Sequence, residues 1–102
     1  MPQEKSGGSL KERTGKKLKE PKQYTVIMLN DDFTTMEFVV NVLIDIFHKD
    51  PVSAEKIMLT VHKSGKAAVG IYPYDIAHTR VHEAMSRAKA EGFPFRMTVE
   101  EA

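Results

Sequence analysis

The sequence predicts an α+β domain of element order βααβαβ, a small sandwich in which three helices pack on one face of a three-stranded antiparallel sheet. Three observations lead there. Short β-branched, aromatic or alternating runs stand at 22–29, 66–72 and 95–99. Between them, apolar residues recur at helical spacing in three stretches. Turn or cap residues punctuate the boundaries. At 102 residues and 41% hydrophobic, the chain can form one domain with a thin core.

The first strand is Lys22-Gln-Tyr-Thr-Val-Ile-Met-Leu29, ending where Asn30-Asp31-Asp32 must turn. The first helix is expected to start at Thr35, because Thr34-Thr35-Met36-Glu37 has the form of a capping box, with Phe33 and Phe38 as its hydrophobic staple. Met36, Val39, Val40, Leu43, Ile44 and Phe47 make one apolar stripe and Phe38, Val42 and Ile46 a second, leaving a narrow polar line of Glu37, Asn41, Asp45 and His48. A sheet can cover one stripe. The other must meet a second helix or line a groove.

That helix is announced by Asp50-Pro51, an N-cap followed by Pro at the first helical position, and presents Ala54, Ile57, Met58 and Val61 before Ser64-Gly65 ends it. Lys66–Tyr72 reads as a strand stopped by Pro73, with Gly70 marking a bulge or a close approach. Ala77, Val81, Ala84, Met85 and Ala88 give the third helix, with Asp75 near its start and Gly92 past its end. Phe95, Met97 and Val99 then alternate with polar residues in a half-buried last strand.

Residues 1–22 differ in kind from the 23–102 core. They hold seven Lys/Arg against three Glu, net +4, while the remainder holds eight against eleven, net −3. With Leu10 and Leu18 as their large apolar side chains, they cannot bury enough surface to offset ordering entropy, so a mobile basic extension is expected. Without an aromatic for base stacking, and with its charge diluted by glutamate, this extension argues against a nucleic-acid partner. Zero cysteines exclude disulfides and cysteine-ligated zinc. No apolar run serves as a signal peptide or spans a membrane, so a cytoplasmic protein is expected.

Catalysis finds little support. His78 and His82 have the i, i+4 spacing of a shared metal, but no Glu follows His78 and no third ligand is evident. Asp31 and Asp32 are adjacent turn residues rather than an opposed acid–base pair, and there is no cysteine, Ser-His pairing or Gly-rich phosphate loop. The expectation is a non-enzyme without cofactor or metal.

The chemistry concentrates at the junction from Leu29 to Val39. Asn30, Asp31 and Asp32 either form an ordinary turn or offer acceptors beside an apolar wall. His62, one turn beyond Met58, either caps its helix or faces the same wall. If the first two helices pack together, Met36, Val39, Met58 and Val61 would wall an apolar pocket with Asn30, Asp31 and His62 at its mouth.

Asn30-Asp31-Asp32-Phe33-Thr34 with Met36-Glu37-Phe38-Val39, then Met58-Leu59-Thr60-Val61-His62, Gly65-Lys66-Ala67 and Pro94, resemble ClpS, the bacterial adaptor family of the N-end rule pathway. The resemblance runs from about Tyr24 to the C-terminus and implies the same βααβαβ fold. It implies an adaptor that binds proteins with N-terminal Leu, Phe, Tyr or Trp and passes them to a ClpA-like or ClpC-like AAA+ unfoldase, acting as a monomer. Asn30, Asp31 and His62 would hold the free α-amino group, and Thr34, Met36, Val39, Met58, Val61 and Phe95 the side chain. Asp75 and Arg80 match an acidic and a basic position of the unfoldase-docking surface, and the N-terminal extension corresponds to the segment the unfoldase engages. Two departures stand out. Thr35 replaces a Pro, taken as the first helical position, and Phe95 replaces a Leu that borders the pocket. The competing reading is a structural interaction module like the C-terminal domain of the ribosomal stalk protein, which has a similar α+β arrangement but no need of an ammonium site.

Overall fold

A computed structural model of the chain describes residues 21–102, so all but the last two residues of the basic extension lie outside the described residues. The order is β1 (Gln23–Leu29), α1 (Met36–Asp45), α2 (Pro51–Ser64), β2 (Lys66–Pro73), α3 (Tyr74–Ala90) and β3 (Arg96–Glu101). The three strands form one antiparallel sheet in the order β2-β1-β3, so the α+β expectation holds. Val26, Met28, Val69 and Met97 point from the sheet into a core that also holds Val42, Leu43, Ala54, Ala77 and Ala84.

Each helix end has an identifiable cause. Asp50 caps α2, its carboxylate accepting from Ser53 N at 3.4 Å, and Pro51 follows at the first helical position. Gly65 ends α2 with a left-handed φ of 89°. At the end of α3, Gly92 has φ 80°, and Phe93 N donates to Ala88 O at 2.9 Å in the bond that closes a Schellman turn. That turn delivers the Phe93 ring to Phe38, centroid to centroid 5.1 Å.

The start of α1 differs from expectation by one residue. Thr35, not Thr34, is the N-cap, its hydroxyl oxygen accepting from Phe38 N at 3.1 Å. Thr34 is already engaged by Asp31, as described below. Glu37 therefore falls one place too early for a capping box, and Phe33, 75% exposed, is not stapled to the buried Phe38. Thr35 thus sits at the cap rather than at the first helical position. At its other end α1 stops at Asp45, and His48, expected on its polar line, lies in the connecting turn with φ 57°. Lys49 N donates back to Leu43 O at 3.0 Å, and the residue before Pro51 is held extended, so the helix cannot run on.

The register of β1 against β2 slips between Val26↔Gly70 and Ile27↔Ala68, which leaves Val69 as the extra, buried residue beside Gly70. A Cβ at Gly70 would sit 2.7 Å from the Tyr72 hydroxyl oxygen. The close approach is to the far end of the Tyr72 side chain, which would have to shift to admit a larger residue.

Candidate functional site

Two local elements and one sheet register build the site. β1 delivers Asn30 at its end, and the pairing of Leu29 with Lys66 brings the start of β2 alongside. Asn30 N then donates to Gly65 O at 2.9 Å, which ties the loop to the last turn of α2. Met58 and His62 lie one turn apart on that helix. The result is a cavity of about 290 Å³ lined by Asn30, Asp31, Asp32, Thr34, Met36, Val39, Met58, Val61 and His62.

Its floor is apolar and its rim mixed. Val39, Met58 and Val61 are buried, whereas Met36 is 46% exposed and stands at the mouth. Asp31 organises the polar side: Oδ1 accepts from Phe33 N at 2.8 Å and from Thr34 N at 2.7 Å, and Oδ2 accepts from the Thr34 hydroxyl at 2.6 Å. Partial burial opposes its charge, but these bonds outweigh burial and hold the carboxyl below the usual aspartate value. Asp31 therefore stays ionised at neutral pH, and Oδ2 retains acceptor capacity beyond the Thr34 hydroxyl. Among the described residues the Asn30 and His62 side chains make no hydrogen bond within the protein, leaving their acceptors available at the same cavity.

Of the expected pocket residues, Phe95 is not brought to this cavity. It is 3% exposed and its ring lies 5.5 Å from that of Phe38, inside the core. Asp32 is an addition, lining the cavity as the next carboxylate of the same loop. The signal for it was its place in the Asn-Asp-Asp run. Asp75 and Arg80 come together elsewhere, in a second cavity between the end of α1 and α3 that also includes Asp45, His48, Ile76, Thr79 and Glu83. Arg80 is half-buried there and donates to Ile46 O, just beyond the last turn of α1. Among the described residues no cluster of three metal-ligating side chains occurs, and no helix is long and apolar enough to cross a membrane.

Fold and cavity together define a small α+β domain with one mixed site: hydrogen-bond acceptors at the mouth, aliphatic and methionine side chains below. Comparison with known proteins narrows the class. Residues 19–98 match the family model described as ATP-dependent Clp protease adaptor protein ClpS. The adapter protein ClpS of Treponema denticola is 54% identical over 81 residues, covering 79% of this chain and 80% of that one. Its counterpart from Clostridium acetobutylicum is 48% identical over 85 residues, covering 83% and 84%. A solved structure of Agrobacterium tumefaciens ClpS2 bound to L-phenylalaninamide superposes with a TM-score of 0.79 at 40% identity, covering 81% of this chain and all of that one. The chain belongs to the ClpS family of Clp protease adaptors.

Proposed function

We propose that this chain is a substrate-recognition adaptor that binds proteins bearing a free N-terminal Leu, Phe, Tyr or Trp and delivers them to a Clp-family AAA+ unfoldase, ClpA-like or ClpC-like, in the cytoplasm. One observation carries the reading. A single cavity combines the ionised Asp31, the acceptors of Asn30 and His62, and an apolar floor of Val39, Met58 and Val61. An α-ammonium needs three acceptors, and a carboxylate, an amide oxygen and a neutral imidazole nitrogen supply them. Met36 and Met58 adapt their shape to leucyl or aromatic side chains. L-phenylalaninamide, bound in the similar Agrobacterium structure, carries the same two features, a free amino group and a benzyl group.

Burying one large apolar side chain contributes roughly 1.5–3 kcal/mol, and each charge-assisted hydrogen bond a similar amount. Three such bonds with one buried side chain give roughly 6–12 kcal/mol before association costs of at least about 4 kcal/mol, so the roughly 8 kcal/mol of micromolar binding calls on all three acceptors near the upper end of that range. In this reading residues 23–102 are the substrate-binding core and residues 1–22 the extension that the unfoldase engages.

Fluorescence anisotropy on peptides that differ only in residue one tests it. A free N-terminal Phe or Leu peptide binds, and its N-acetylated form loses at least about tenfold, because acetylation removes the charge opposite Asp31. Equal affinity of the two forms refutes the ammonium site.

A further inference from the structure

Phe33 is 75% exposed, a large apolar side chain left in contact with water by its packing among the described residues. Its staple to Phe38 is not made, since Phe38 meets Phe93 and Phe95 instead. Yet the backbone that carries it is held firmly, with Phe33 N and Thr34 N both bonded to Asp31 Oδ1 at 2.8 and 2.7 Å. Its neighbours on either side, Asp32 and Thr34, line the cavity, and Met36, half-exposed, stands at the same mouth. An aromatic ring that stacks on no other ring among the described residues is thus carried, exposed, on the bonded loop whose neighbouring residues line the cavity.

We propose that Phe33 is a specificity-determining residue for the second position of the bound chain, its ring forming with Met36 an apolar ledge that covers an apolar second side chain. This rests on the reading of the cavity as the site of the first residue. With the amino group at Asn30, Asp31 and His62 and the first side chain on Val39, Met58 and Val61, the second residue emerges at the mouth, within about 4 Å of chain per residue. Capping an apolar side chain with a ring removes water from both surfaces, and the gain scales with the area covered. The occupant is therefore a Leu-like or aromatic second residue, favoured over Gly.

The test compares three ligands: L-phenylalaninamide, which has no second residue, a Phe-Gly peptide and a Phe-Leu peptide. Affinities are measured by calorimetry on the full chain and on its Phe33→Ser and Phe33→Tyr variants. The full chain is expected to prefer Phe-Leu over Phe-Gly by about fivefold, as a modest buried apolar area predicts. Phe33→Ser brings that ratio to about one while leaving L-phenylalaninamide and Phe-Gly affinities within about twofold, and Phe33→Tyr, which keeps the ring, restores it. An unchanged ratio in Phe33→Ser, with L-phenylalaninamide still bound, overturns the ledge and leaves the cavity reading standing. Failure of the full chain to bind L-phenylalaninamide overturns the cavity reading, and the ledge falls with it.

Discussion

Helix α1 has a cavity at each end, and the two differ in what their charged residues are already doing. At the N-terminal end, Asp31 bonds its own loop into shape yet keeps acceptor capacity facing the cavity, beside Asn30 and His62. At the C-terminal end, Arg80 is committed to the Ile46 carbonyl, one of the orphan acceptors that any helix end leaves behind. The first cavity has an apolar floor from two helices. The second gathers Asp45, Asp75 and Glu83 around a guanidinium that holds α1 to α3. A charge beside a cavity is thus weak evidence of a binding role until its existing partners are known: Arg80 serves stability first, whereas Asp31 serves its loop and has more to give.

The largest effect that would break this contrast is on binding. Asp31→Ala should lower affinity for an N-terminal Phe peptide by about a hundredfold or more, since it removes the ammonium's counter-charge and loosens the loop. Asp75→Ala at the other cavity should leave affinity within about twofold. Anisotropy titrations on both variants, with circular dichroism to verify the fold, decide it; equal losses would mean the two cavities do not differ in kind.

Next in size, Arg80→Met should cost stability, about 1–3 kcal/mol, because the Ile46 carbonyl loses a charged donor while the aliphatic stem is retained. Urea denaturation measures this, and an unchanged midpoint would free Arg80 for a surface role alone. Peptide affinity should barely move.

Met36→Ala sharpens the picture of the binding cavity itself. Met36 stands half-exposed at the rim, and in the proposed reading its side chain would crowd a ligand branched at Cβ. The variant should gain about tenfold for N-terminal Ile and Val peptides, roughly 1.4 kcal/mol. If it keeps the parent's discrimination, selectivity arises deeper, at Val39, Met58 or Val61.

The smallest effect concerns Asp31 and acid. Its folded pKa is depressed below the ordinary aspartate value, so its contribution to stability is fully present above that value and is lost as pH falls through the lower, folded one. Asp31→Asn should therefore be less stable than the parent by about 1 kcal/mol at neutral pH, in the range of a lost cap, and the gap should close only below the ordinary aspartate range. Thermal melts at neutral pH and at about pH 3 check the sign, since a gap that widens with acid contradicts the assigned hydrogen bonds.

Local chemistry determined most of the element boundaries from sequence alone. Asp50-Pro51, Gly65 and Gly92 act within a few residues of themselves, so the helix ends they set could be read directly. The alternation of Met97 with its neighbours and the spacing of Ala77, Val81, Ala84 and Ala88 likewise name the buried face without reference to anything distant. The helix start at Thr34-Thr35 could not be settled this way. Both threonines can cap, and only the Asp31 carboxylate, by taking Thr34, leaves the task to Thr35.

What tertiary structure decided are the meetings between residues far apart in the chain. His62 reaches the mouth beside Asn30 because Leu29 pairs with Lys66 and Asn30 N bonds Gly65 O, and helical spacing holds none of that information. Arg80 finds a carbonyl 34 residues away, and Phe95 turns into the core against Phe38 rather than toward the cavity. Periodicity fixes which face of an element is apolar, but which partner covers that face depends on strand register and helix packing, set by the whole core at once.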